Sequence, residues 1–248
     1  MSRSSTTDVR AILLDVEGTT TPIAFVTNVL FPYARRHLRS YLEQHAGSPD
    51  DESLFTRLRH EHSSDVRSGE AVPPWIEDSP SARVATIIAY LEWLMDRDRK
   101  STGLKELQGR IWEEGYRRGE LIGEVFPDVR PALERWRDRD VHVGIFSSGS
   151  ALAQKLLFRH SSAGDLTTFL KWHFDTNIGA KADPDSYRRI ANTIGLPADA
   201  VMFLSDVTRE LDGARSARMQ VRLVMRPGNA PASTPHDYLM IRSLDEVG

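Results

Sequence analysis

The sequence predicts an α/β protein: a Rossmann-like parallel sheet with helices on both faces, plus an inserted all-helical cap domain. Three observations lead there. Four short, nearly continuous apolar runs each stop at polar, turn-forming residues. Helical patterns alternate with these runs in the second half of the chain. The stretch from residue 23 to 120, by contrast, carries helical periodicities and nothing that reads as a strand. Runs that are apolar at every position suit strands covered on both faces, as in parallel sheets.

The elements follow in order. Val9 to Leu14 reads as a short buried strand that stops at Asp15. The inserted region comes next. Phe25, Val29, Tyr33, Arg36/His37 and Tyr41 lie near helical spacing, with Leu30, Leu38 and Leu42 beside them. Val84, Ile87, Ile88, Leu91, Leu94 and Met95 form a cleaner stripe, and Leu104, Leu107 and Ile111 a third. The polar stretch Ser63 to Glu70 and the pair Pro73-Pro74 read as loop. Val141 to Phe146 is the second strand, ending at Ser147-Ser148-Gly149-Ser150, and Ser150 can cap the helix that carries Leu152, Leu156 and Leu157. Asp183 before Pro184 is a helix start over Asp185 to Thr193. Val201 to Leu204 ends at Ser205-Asp206, and Val221 to Met225 ends at Arg226-Pro227-Gly228-Asn229. The expected domains are therefore a core of residues 1–22 and 121–248, and a cap of residues 23–120 inserted after the first strand.

Composition narrows the function classes. With 248 residues and 40% hydrophobic content the chain can build a core and is not a disordered one. A net charge of -3 argues against a nucleic-acid or membrane-surface binder held by bulk charge. There is no cysteine, so disulfide scaffolds, thiolate metal sites and cysteine nucleophiles are excluded, and any metal sits on oxygen or imidazole. No secretory signal or bilayer-spanning stretch is visible, and the expectation is a cytoplasmic protein. Only five of the 32 basic residues are lysine, which makes Lys181, in the loop Ile178-Gly179-Ala180-Lys181, weakly conspicuous.

In open α/β sheets ligands sit beyond the carboxyl ends of the strands. Asp15-Val16-Glu17-Gly18-Thr19-Thr20, Ser147-Ser148-Gly149-Ser150 and Ser205-Asp206 then converge on one rim. Asp15 and Glu17 stand two apart, so an extended backbone would direct both side chains to one side. Two carboxylates ~4 Å apart repel by roughly 4 kcal/mol at an effective dielectric near 20. Such a cluster needs a proton, a lysine or a cation, and all-oxygen ligation makes Mg2+ the first choice. Acids beside serines and a cation suit phosphate chemistry. A carboxylate can attack phosphorus, and hydroxyl and backbone N–H groups at a helix start can hold the phosphate. Glu210 reads either as support for this site or as an early-helix acid favoured by the dipole. His60-Glu61-His62 reads as a solvated helix face rather than a metal pair, and the five tryptophans as packing residues.

Asp15-Val16-Glu17-Gly18-Thr19, Ser147-Ser148-Gly149-Ser150, Lys181 and Ser205 to Glu210 fall in the order of the four motifs of the haloacid-dehalogenase-like hydrolases. Glu17 stands where most of that superfamily has a second aspartate. With Asp-Val-Glu-Gly-Thr-Thr-Thr-Pro-Ile from Asp15, Leu104 to Gly109, Gln154 to Phe158, His173 to Thr176 and Arg226 to Ala230, the chain resembles the enolase-phosphatase branch (acireductone synthases) of methionine salvage, from about residue 9 to 245. The resemblance implies a monomeric, Mg2+-dependent enzyme that binds one ion. It would enolise 2,3-diketo-5-methylthiopentyl-1-phosphate and then remove its phosphate. Asp15 matches the nucleophile; Asp15, Glu17 and Asp206 match metal ligands; Ser147, Ser148 and Lys181 match substrate contacts. Three roles are open to Glu17: protonating the leaving group, ligating Mg2+ through its carboxylate, or serving the enolisation. The cap would close over the rim and exclude water. Two alternatives stand beside this reading, a capped phosphatase for another small phosphomonoester and a phospho-accepting receiver module.

Overall fold

A computed structural model describes residues 8–45, 49–231 and 236–248. The chain divides into two compact units, residues 1–27 with 121–248, and residues 28–120.

The first unit is a six-stranded parallel sheet in the order β3-β2-β1-β4-β5-β6. Its strands are β1 (Ala11–Leu14), β2 (His142–Phe146), β3 (Leu170–Phe174), β4 (Val201–Ser205), β5 (Gln220–Val224) and β6 (Met240–Ile241). The central strands β1 and β4 are buried at every residue, which is why they read as unbroken apolar runs. Ala11, Leu13, Phe146, Val201 and Phe203 face one layer, where they pack with Tyr187, Ile190, Leu211 and Ala214 of helices α8 (Pro184–Ile194) and α9 (Thr208–Ser216). Helices α6 (Val129–Asp138) and α7 (Ala151–Arg159) pack against β2 and β3. The fold class is as the sequence predicts, a Rossmann-like parallel sheet clothed by helices.

Two strands escape the sequence reading. β3 is an edge strand buried at its ends but exposed or half-buried at Lys171, Trp172 and His173, so Leu170-Lys171-Trp172-His173-Phe174 lacks the all-apolar signature. β6 has only two residues. The expected caps are present: Ser150 accepts from Ala153 N at 3.2 Å and Asp183 from Asp185 N at 2.9 Å. Gly195, left-handed at φ 77°, closes α8.

Among its described residues the second unit holds helices and connecting loops and no strand. Its helices are α2 (Phe31–His45), α3 (Pro49–Arg67), α4 (Pro80–Asp96) and α5 (Thr102–Arg117); the short α1 (Ile23–Phe25) belongs to the first unit, and a π-turn at Val26–Leu30 precedes α2. α4 and α5 bury the expected stripes. α3 is a correction. Its polar composition hides a narrow apolar face of Leu54, Phe55, Leu58 and His62, all buried. Ser63 to Arg67, read as loop, form its last turn. His62 is accordingly not on a solvated face; its Nε2 lies 2.7 Å from the Pro73 carbonyl, and Glu61 accepts from Gly103 N at 3.0 Å. Gly103 lets α3 and α5 approach closely, since a Cβ there would stand 2.5 Å from Leu58 Cδ2. Leu58→Ala is expected to destabilise the second unit by about 2–5 kcal/mol, read as a lowered urea midpoint. A change below ~0.5 kcal/mol, the range of surface substitutions, would place Leu58 outside the core.

Candidate active site

Asp15 leaves the end of β1, where Leu14 pairs with Leu204 of β4. Its N–H donates to the Leu204 carbonyl at 2.9 Å. That register sets it beside Ser205, the residue one step further along the neighbouring strand. The carboxylate is 5% exposed and engaged at both oxygens. Oδ1 accepts from Lys181 Nζ at 2.6 Å and Val16 N at 2.8 Å; Oδ2 accepts from Ser205 Oγ at 3.0 Å. Lys181 Nζ also lies 2.6 Å from Glu210 Oε2, and Ser205 Oγ lies 3.0 Å from the same oxygen. The structure thus gathers Asp15, Lys181, Ser205 and Glu210 into one buried cluster. Of these, Ser205 was overlooked as a site residue; its signal was its place immediately before Asp206 at a strand end.

Lys181 reaches the rim from the loop before α8, and its backbone carbonyl accepts from Tyr187 Oη at 2.7 Å. Burial alone would lower its pKa, but the charges of Asp15 and then Glu210 outweigh this and raise it, so it stays an ammonium. Glu210, in the first turn of α9, is pushed above the usual glutamate range by burial and then by the Asp15 charge. This is a site position, not a solvent-facing cap acid. Asp206, directly after β4, is pushed from 3.8 up to about 6, first by burial, then by Asp15, with Glu17 adding to the effect. One ammonium serves several carboxylates, and burial first, the surplus negative charge second, raise the pKa values of Glu210 and Asp206.

The chain does not stay extended through Glu17. β1 ends at Leu14, and the N–H groups of Thr19, Thr20 and Thr21 all donate to the Val16 carbonyl at 2.9–3.2 Å. Gly18 takes φ +71°. The alternation that would have aimed Glu17 alongside Asp15 therefore does not operate. Glu17 sits half-buried in the turn, close enough for its charge to act on Asp206. Among the described residues no three carboxylate or imidazole side chains are arranged as a metal cage. So the Glu17 carboxylate does not join those of Asp15 and Asp206 in a ready-made triad.

The residues present nevertheless fit a magnesium ion. Mg2+ takes one or two carboxylates and keeps several waters, so a pair of acids suffices. Asp15 and Asp206 would supply that pair: their donors are oxygen, and the charge of Asp15 raises the pKa of Asp206, a repulsion that a cation would relieve. Gly18 lets Asp206 lie close against the turn: a Cβ there would stand 2.3 Å from Asp206 Oδ2.

Ser147, 2% exposed, follows β2; its N–H donates to the Phe174 carbonyl at 3.3 Å and its Oγ accepts from Gly149 N at 3.0 Å. Ser148 is exposed on the same turn, just before α7. A cleft of about 610 Å³ in this unit lies along β3 and α7, lined by Lys155, Arg159, Lys171 and His173 among others, and contains none of the rim acids. Among the described residues no helix is long and apolar enough to cross a membrane.

Known proteins resemble this chain over most of its length. Residues 9–218 match the model of the haloacid dehalogenase-like hydrolase family. The chain is 44% identical to enolase-phosphatase E1 of Synechococcus elongatus over 96% of its own length and 98% of the relative's. It is 42% identical to enolase-phosphatase E1 of Danio rerio, covering 97% and 95%. Among solved structures, the UTR4 protein of Saccharomyces cerevisiae superposes with a TM-score of 0.77 at 31% identity, covering 95% of this chain and 98% of that one.

A group whose pKa is raised by folding contributes stability below its unfolded value and loses it as pH rises through the folded one. For Asp206 that window runs from 3.8 to about 6. In EDTA, Asp206→Asn is therefore expected to melt above the wild type at pH 7, with the difference shrinking toward pH 4. Added Mg2+ at pH 7 should raise the wild-type midpoint and leave the variant's unchanged. Thermal unfolding followed by circular dichroism checks both; an equal gap at both pH values would contradict them.

Proposed function

The chain belongs to the haloacid-dehalogenase-like hydrolases and, within them, to the enolase-phosphatases, and from that footing we propose how its residues divide the work. It is a phosphoric monoester hydrolase and an acireductone synthase, converting 2,3-diketo-5-methylthiopentyl-1-phosphate to 1,2-dihydroxy-3-keto-5-methylthiopentene and phosphate. The observation that carries the assignment of roles is the state of Asp15, a buried carboxylate held at one oxygen by the Lys181 ammonium and at the other by the Ser205 hydroxyl.

Asp15 is the nucleophile. The ion pair with Lys181 and the hydrogen bond from Ser205 fix it at both oxygens, which limits its rotation before attack. Attack on phosphorus forms an aspartyl-phosphate and breaks the ester P–O bond; the leaving oxygen takes a proton. Water then attacks the phosphorus, freeing Asp15 and inorganic phosphate. Lys181, held protonated, presents positive charge to the phosphoryl group, and Ser147 and Ser148 hold it with hydroxyl and backbone N–H donors where β2 gives way to α7. We assign proton transfer to Glu17, the remaining acid of the turn. It accepts the carbon-bound proton in the enolisation and protonates the leaving oxygen in the phosphatase step. When bound, Mg2+ held by Asp15 and Asp206 supplies charge that offsets the repulsion between the carboxylate and the phosphoryl oxygens. Glu210 shares Lys181 with Asp15 and so sets how firmly the lysine holds the nucleophile. The partner is a small-molecule phosphate; the near-balance of 35 acidic and 32 basic residues supports neither a nucleic-acid nor a membrane partner. We place the enzyme in the cytoplasm as a monomer.

The test uses the diketo phosphate with two readouts, phosphate release and enediol absorbance. Asp15→Asn is expected to lower phosphate release by at least about a thousandfold while the enol still forms and accumulates. EDTA should suppress phosphate release by the wild type. Glu17→Gln should slow the appearance of the enol. Phosphate release at the wild-type rate by Asp15→Asn would remove Asp15 from the chemistry, and full-rate enolisation by Glu17→Gln would remove Glu17 as the base.

A further inference from the structure

The segment Arg226-Pro227-Gly228-Asn229, after β5, enters no chemical step above, yet its side chains end on the turn that follows the nucleophile. Asn229 Nδ2 donates to the Gly18 carbonyl at 2.9 Å and, less well, to the Val224 carbonyl at 3.4 Å. Arg226, 8% exposed, donates from Nε to the Thr19 carbonyl at 3.1 Å. Its Nη1 donates to Asp128 Oδ2 at 2.8 Å and to the Arg242 carbonyl at 3.0 Å. The guanidinium also lies over the Phe126 ring, 4.5 Å from its centre, and Phe126 N donates to the Thr20 carbonyl at 2.9 Å. Asp128 in turn accepts from Leu244 N at 2.7 Å and Ser243 Oγ at 3.0 Å. Two successive carbonyls of the turn, at residues 18 and 19, thus each receive a dedicated side-chain donor from one short segment. A buried ion pair anchors that segment.

The contact is tight on the side of the acids. Beside the α-carbon of Gly18, the position a Cβ would occupy is 2.3 Å from Asp206 Oδ2 and 3.0 Å from Asn229 Oδ1. Asp206 and Asn229 therefore both crowd the same side of Gly18, and only a residue without a Cβ fits between them. Among the described residues Asn229 Oδ1 is buried with no hydrogen-bond partner. A buried acceptor left unsatisfied is costly. A cation-bound water beside Asp206 is the kind of donor that would satisfy it, as outer groups do around metal ligands.

We propose that Arg226 and Asn229 are positioning residues. They clamp the Thr19 and Gly18 carbonyls, hold the Glu17-bearing turn against Asp206, and so set cation affinity and the rate of phosphoryl transfer without touching the reacting atoms. The proposal rests on the site reading given above.

Wild type, Asp206→Asn, Asn229→Leu and Arg226→Lys are compared after metal stripping. Mg2+ binding is followed by calorimetry, metal-free unfolding by heat, and kcat and KM by phosphate release. Asn229→Leu keeps the branched outline and the heavy-atom count, is bulkier, and loses the donor. It is expected to unfold close to the wild-type midpoint without metal, to bind Mg2+ about tenfold more weakly, the equivalent of one lost hydrogen bond, and to lose kcat more than it changes KM. Arg226→Lys, which retains charge but not the planar fork, should fall between Asn229→Leu and wild type. Wild-type Mg2+ affinity and kcat in Asn229→Leu would overturn the clamp, as would a lowered unfolding midpoint with Mg2+ affinity intact. Should Asn229→Leu fail to fold, Asn229→Ser carries the same comparison with the same two readings. If Asp206→Asn binds Mg2+ like the wild type, the site reading itself falls. If that control behaves and Asn229→Leu is silent, only the clamp falls.

Discussion

A single ammonium group, that of Lys181, stands among the carboxylates of Asp15, Glu210 and Asp206, and the rest of the core is arranged around that imbalance. Lys181 contacts Asp15 and Glu210 at 2.6 Å each, and Asp206 carries the residue of the strain as a pKa raised to about 6. Burying an under-compensated charge costs several kcal/mol. A self-contained core would have no reason to retain it. A site that receives a divalent cation and a phosphate ester does, because the same surplus charge becomes cation affinity.

The sheet makes the cluster possible. Parallel pairing of β1 with β4 in the register Leu14↔Leu204 brings residues 15 and 205 side by side although 190 positions separate them in sequence. The turn after Asp15 then has to reverse quickly. Three N–H groups converge on the Val16 carbonyl, and Gly18 supplies the left-handed φ and the missing side chain beside Asp206. The same residues that ready the site for chemistry reduce the stability of the metal-free protein, a familiar trade between activity and stability.

Much of this was legible in the sequence because the relevant signals were local and strong. Four nearly continuous apolar runs ending in polar residues located β1, β2, β4 and β5. Asp183-Pro184 and Ser150 marked helix starts that the structure contains. What escaped had weak local signals. β3, at an edge, leaves its middle residues exposed or half-buried, and α3 hides a narrow face of Leu54, Phe55 and Leu58 in a polar sequence. In the site, Asp15 could be placed from its position at a strand end, whereas Lys181 stood out only through its order among the family motifs and Glu210 stayed open between a site residue and an early-helix acid. Ser205 could not be ranked, because a serine before an aspartate looks like any strand terminus until the register is known. The expectation that Glu17 would point with Asp15 assumed an extended chain where the backbone bends at Val16. Arg226 and Asn229 act on Thr19 and Gly18 across more than 200 residues, a relation that no spacing rule reaches.

The charge imbalance at the rim is tested most directly by counting protons as the cation binds. Adding Mg2+ to weakly buffered, metal-free protein at pH 6 should release about half a proton from Asp206, with further release from the raised Glu210, and the release should fade toward pH 8. Binding of Mg2+ with no change in proton count across that range would contradict the account.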